Sequence, residues 1–103
     1  MSILHLTLKK KWFDMIASGE KKEEYREIKK YWQDRLCCTS NILDGFQDFD
    51  EIIFKHGYSS GAPLIVVECK GIGLGEGKAE WGAEPGKEYF IIKLGNIVNH
   101  EQQ

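Results

Sequence analysis

Residues 19 to 28 read Gly19-Glu20-Lys21-Lys22-Glu23-Glu24-Tyr25-Arg26-Glu27-Ile28. Together with Lys29 and Lys30 they carry four acids and five bases, a denser and more even mixture than any other stretch of the chain. The residues just before them have helical spacing. Trp12, Met15 and Ile16 fall in one stripe, which Phe13 and Ala17 widen. Gly19 stands where a C′ cap belongs, because glycine takes left-handed backbone at little cost. Beyond it the apolar spacing changes: Tyr25 lies between charges and Ile28 ends the run. Lys22 to Ile28 is therefore expected to be an extended strand at the edge or rim of a sheet. Period two puts Lys22, Glu24 and Arg26 on one face and Glu23, Tyr25 and Glu27 on the other. An acid between two bases on one face suits a polar ligand, the bases donating and the acid accepting. The competing reading is a solvated edge, on which Lys and Glu simply discourage pairing with another chain.

Outward from this stretch, the pattern predicts a mainly β domain with short helices. Leu4, Leu6 and Leu8 alternate toward a core, so Ile3 to Leu8 is read as a strand, with His5 on its other face. Lys9 to Ser18 is the first helix and Lys29 to Cys38 a second, with Trp32 and Leu36 one turn apart and Tyr31 and Arg35 on its flank. Thr39 to Asp50 is a polar connection tacked down by Ile42, Leu43, Phe46 and Phe49. Its aspartates lack the spacing and closing glutamate of a calcium loop. Glu51 to His56 is a strand, residues 57 to 63 a loop, and the unbroken apolar run at the start of Leu64 to Lys70 marks a central strand. Gly71, Gly73, Gly75 and Gly77 recur at every second position. That is neither a dinucleotide fingerprint nor a phosphate-binding loop; it suits sharp curvature or close packing. Glu88 to Leu94 is the closing strand, after which the chain is expected to fray from Asn99 onward. Short strands and glycine turns together suit a small barrel.

Composition bounds the partners. The 103 residues suit one domain, 1–103, able to bury a modest core. A formal charge of −2 argues against a generally cationic nucleic-acid surface, although a local basic groove is compatible with it. Cys37, Cys38 and Cys69 lack both a pairing and a zinc-ligand pattern. They are read as reduced thiols of a cytoplasmic protein. No metal or cofactor is expected, no signal peptide is recognised, and no apolar run is long enough to span a membrane.

The charged stretch and its flanks resemble the ASCH family (activating-signal-cointegrator homology), a relative of the PUA fold. Its members run from a short strand through a helix into Gly-x-Lys-x-x-Glu-x-Arg. Gly19, Lys21, Glu24 and Arg26 match that pattern in order. Leu6-Thr7-Leu8-Lys9 to Ile16 is similar to the family's opening strand and helix, and Gly57-Tyr58, Trp81-Gly82 and Tyr89 to Ile92 to its second half. The resemblance implies a small PUA-like β-barrel with a helix packed at one opening. It also implies an RNA- or nucleotide-binding module with a Lys/Glu/Arg cleft. Lys21 and Arg26 would contact phosphate or base acceptors, Glu24 would accept from a base amino group, and Tyr58 or Trp81 would stack. Its alternative implication is a small amidohydrolase acting on an acylated cytidine-like nucleoside. Lys21 would then stabilise charge and Glu24 activate water. Where such enzymes carry a threonine this chain has Glu24, and it lacks the later helical segment bearing their second glutamate. A protein-interaction module without a ligand is the third reading.

Overall fold

The computed structural model describes residues 1–57 and 61–101. Its core is one five-stranded mixed sheet in the order β1-β3-β4-β5-β2, curled into a half-barrel. The strands are β1 Ile3–Thr7, β2 Glu23–Glu27, β3 Glu51–Lys55, β4 Leu64–Glu76 and β5 Glu88–Glu101. The helices are α1 Lys10–Ala17 and α2 Lys30–Leu36, with 3-10 turns at Ile42–Asp44 and Ala79–Trp81. Strands β1 and β3 are parallel; the other neighbours are antiparallel. Among the described residues, no helix is long and apolar enough to cross a membrane.

The expected alternation in β1 holds: Leu4, Leu6 and Leu8 are buried, while Ile3 and His5 face out. The same period runs through β3, where Ile52 and Phe54 are fully buried, and through β5, where Phe90, Ile92 and Leu94 face the main core. Phe13 and Ile16 of α1 and Leu36 of α2 enter that core, so both helices pack on the concave side. Each such side chain contributes about 1.5–3 kcal/mol of transfer free energy. Tyr25, Ala83, Tyr89 and Ile91 form a smaller cluster on the convex side.

Strand β4 shapes the sheet. Its first part pairs with β3 and with residues 97–101 of β5, while its second part pairs with residues 88–94 of β5. The register shifts at Val66/Val67, Val67/Cys69 and Cys69/Gly71 lie between the two parts. Gly71, at φ 129, takes a conformation that side chains resist. Such irregularities bend a strand and increase its twist, which turns the two sheet edges, β1 and β2, toward one another. The edges do not pair as strands; Arg26 Nη2 reaches across to the Thr7 carbonyl at 3.4 Å.

Three expectations change. The strand read as Leu64 to Lys70 does not end there: β4 runs on through the glycine-rich segment to Glu76. Strand β5 does not stop near Leu94 or fray from Asn99, because the front half of β4 supplies partners as far as Glu101. Leu43 does not tack down its loop. The Asn41 side chain accepts from its backbone N–H in a 3-10 turn that leaves Leu43 exposed, while Phe49 is buried and Phe46 half-buried.

Candidate functional site

The site begins at the end of α1. The Gly19 N–H donates to the Ile16 carbonyl with Gly19 at φ 83, the left-handed stop expected from sequence. The Lys21 N–H then donates to the Met15 carbonyl, which pins the start of the charged stretch to the helix end. This reversal aims Lys21 inward, and its side chain has no solvent exposure. Lys22, one residue later, is exposed.

Lys21 Nζ donates to the carbonyl of Glu23, to the Trp81 carbonyl at 3.0 Å and to Glu24 Oε1 at 3.1 Å. An ammonium has three protons, so these acceptors use its full capacity. Its charge also lies 4.8 Å from the Tyr25 ring centroid and 5.6 Å from that of Trp12. Removal from water pushes the Lys21 pKa down, opposed chiefly by the Glu24 carboxylate.

Glu24 and Arg26 lie opposite Ile92 and Phe90 of β5, so the period-two face read from sequence is the concave one. Glu24 is buried, and its Oε1 also accepts from the Tyr25 N–H at 3.1 Å. Its Oε2 meets Arg26 Nη1 at 2.8 Å. Arg26 Nη1 donates as well to the Tyr25 carbonyl. The guanidinium lies 5.1 Å from the Trp32 ring and its side chain is 15% exposed, which leaves donor edges turned to the cleft.

Tyr25 lies on the opposite face and anchors a wall. Its hydroxyl donates to Glu23 Oε1 at 2.8 Å and accepts from the Lys78 N–H at 3.0 Å. Its ring packs so tightly on Gly77 that a β-carbon there would lie 2.5 Å from it. Tyr89 accepts from the Glu84 N–H. With the Lys21–Trp81 contact, these bonds hold residues 78–84 over the site. Gly82, at φ 103, seats that segment against the Trp12 ring.

The result is a cleft of about 590 Å³ between β1, the start of α1, β2, α2 and the 78–84 segment. Glu24, Arg26 and Trp81 line it; Lys21 lies behind Glu24 and does not. Tyr58 falls outside the described residues. Trp12 and Trp32 join Trp81, so all three tryptophans of the chain line one cavity, each from a different element. Tyr31, Lys87, Glu84 and Thr7 were not singled out as ligand residues. The signal for the tryptophans was their number alone, since nothing in their spacing places them together. The lining carries three cations, Lys9, Arg26 and Lys87, and three carboxylates, Glu24, Glu27 and Glu84. Among the described residues, no three His, Cys, Asp or Glu side chains gather in a way that could hold a metal ion.

Such a site can offer a flat ring aromatic surface together with donors and acceptors. No protein-family model, curated protein or solved structure matches the chain.

Proposed function

We propose that the chain is a binding module for a nucleotide or modified nucleoside, with the base held in the cleft above Glu24 and Arg26. The observation that carries this reading is the meeting of all three tryptophans around that carboxylate–guanidinium pair. Aromatic faces stack on any base, while a few placed polar groups supply orientation. The cleft volume, about 590 Å³, lies in the range of small-molecule sites. Balanced charge in the lining suits one polar ring better than a long polyanion, which needs a track of cations. The ASCH-like order of Gly19, Lys21, Glu24 and Arg26 supports the same reading.

In this proposal Arg26 donates to a carbonyl or ring nitrogen of the base. Glu24 orients Arg26, and Lys21 acts from behind by fixing Glu24 and the Trp81 backbone. The amidohydrolase alternative fits less well, because the Lys21 ammonium already has its three acceptors and does not reach the cleft. A cytoplasmic setting, where nucleotides are plentiful, completes the proposal.

Tryptophan fluorescence tests it directly, because every indole in the chain borders the cleft. Titration with the common nucleosides, N4-acetylcytidine, their monophosphates and a short RNA is expected to give saturable quenching by a base-bearing small molecule. Trp32→Leu is expected to weaken that binding. An unresponsive spectrum and unshifted melting temperature across the panel would reject the proposal. Appearance of a deacylated product would move the assignment to the hydrolase.

A further inference from the structure

From the cleft outward, α2 carries an arrangement of which base binding uses only the inner part. The Arg26 guanidinium lies 5.1 Å from the Trp32 ring. Trp32 meets Tyr31 edge to face at 4.8 Å, with 81° between the rings. Arg35, one turn further along the helix, lies over Tyr31 with Cζ 3.5 Å from the ring centroid. Guanidinium, indole, phenol and guanidinium thus follow one another from the cleft to the surface. Tyr31 and Trp32 line the cavity; Arg35 stands just outside it.

Arg35 is held without being consumed. Stacking uses the face of its guanidinium and leaves the N–H edge free. One of its five donors is spent, from Nη1 to the Tyr31 carbonyl at 3.0 Å. The Gln47 side chain donates to its backbone carbonyl, which ties the end of α2 to the following loop. Among the described residues, no carboxylate lies within ion-pair distance of Arg35. Its neighbour Asp34 is engaged by Lys30 at 2.9 Å. The outcome is an oriented, solvent-facing cation one aromatic ring outward from the indole that flanks Arg26. Flat, forked donors match the oxygens of a phosphate.

We propose that Arg35 and Tyr31 form an outer subsite for the phosphate of a nucleotide whose base occupies the cleft, so that the chain selects nucleoside monophosphates over free nucleosides. This rests on the base-binding reading above. The sugar would cross Tyr31, with the phosphate meeting the free edge of Arg35. The charge-balanced lining of the cleft gives no other reason for a net anionic ligand to be preferred.

The experiment compares each ribonucleoside with its 5′-monophosphate by calorimetric titration of the intact chain, the Arg35→Gln variant and a Lys29→Gln control. One charge-assisted hydrogen bond corresponds to roughly tenfold in affinity or more. The monophosphate is therefore expected to bind about tenfold more tightly than its nucleoside. Arg35→Gln should remove that gap, leaving nucleoside affinity within about twofold. Lys29→Gln, at the start of the same helix and outside the Lys30–Asp34 pair, should preserve the gap. Equal binding of nucleoside and monophosphate overturns the subsite while leaving the base site standing. So does a preference that survives Arg35→Gln, or one lost equally in Lys29→Gln. Failure of every nucleoside and monophosphate to bind defeats both proposals together.

Discussion

The exposed pair Lys10–Asp14 closes to 2.7 Å, shorter than the 3.1 Å between Lys21 and Glu24. Distance alone would rank the surface pair first; burial reverses the order. Lys10 and Asp14 are 72% and 55% exposed, so water and salt already satisfy both charges whether or not they meet. Lys21 and Glu24 are 0% and 6% exposed. Each has given up its hydration: Lys21 depends on Glu24 and the Glu23 and Trp81 carbonyls, and Glu24 on Lys21, Arg26 and the Tyr25 N–H. A surface pair decorates a helix, whereas the buried triad organises a wall of the cleft through the Trp81 carbonyl.

Lys21→Met gives this contrast its largest test. It leaves the carbonyls of Glu23 and Trp81 without the ammonium and Glu24 with Arg26 as its remaining cationic partner. Breaking a buried pair from one side is expected to cost about 3–5 kcal/mol in urea unfolding. A loss below about 1 kcal/mol would show that the triad is no more consequential than a surface pair. Glu24→Gln should cost less, about 2 kcal/mol, because the amide keeps the shape and one acceptor but not the charge. In the same variant, base binding should fall together with the melting temperature. Unchanged binding would remove Glu24 from the proposed site.

Tyr25→Phe sharpens the comparison from the other face of the same strand. Losing the bonds to Glu23 and Lys78 should cost about 1 kcal/mol near neutral pH. The alkaline limb is more telling. Burial first, and the Glu23 carboxylate after it, push the Tyr25 phenol up to about 12 against an ordinary 10.0. Its folded pKa lies above the unfolded one, so its contribution is intact below pH 10 and is lost as pH rises through about 12. Lys21 has the opposite sign. Its pKa is lowered from 10.5, so stability rises with pH toward 10.5 and the effect then ends. Denaturation between pH 10.5 and about 12 therefore separates the phenol from Lys21. Burial also pushes the Cys37 and Cys69 thiols up, with the same sign as the phenol, so the variant is what singles out Tyr25. Tyr25→Phe should flatten the decline there, and an unaltered slope would show that another group governs it. The smallest effect belongs to Lys10→Ala, expected to fall within about 0.5 kcal/mol of the unmodified chain. A larger loss would break the contrast from the surface side.

Much of this arrangement was legible from local pattern. Alternating leucines placed β1, and period two separated Glu24 and Arg26 from Tyr25. Gly19 marked the helix end. Each is a property of a few consecutive residues whose backbone geometry repeats. The continuation of β5 to Glu101 was not legible, because Asn99, His100 and Glu101 read as a fraying tail until β4 supplies them with partners. Nor was the convergence of Trp12, Trp32 and Trp81, which depends on the packing of α1, α2 and the 78–84 segment around one cavity.

Lys21 and Lys22 draw the boundary most sharply. They are identical residues side by side, and local chemistry alone predicts a charged, hydrated side chain for both. Sequence established the strand and helix periods and the division of β2 into two faces. It did not establish that one lysine would be fully enclosed while its neighbour stayed in water. That was decided by the turn after α1, the Trp81 carbonyl and the Glu24 carboxylate. Enclosing an ammonium is tolerable only where acceptors from distant parts of the chain replace its hydration, and those acceptors come together only in the folded sheet.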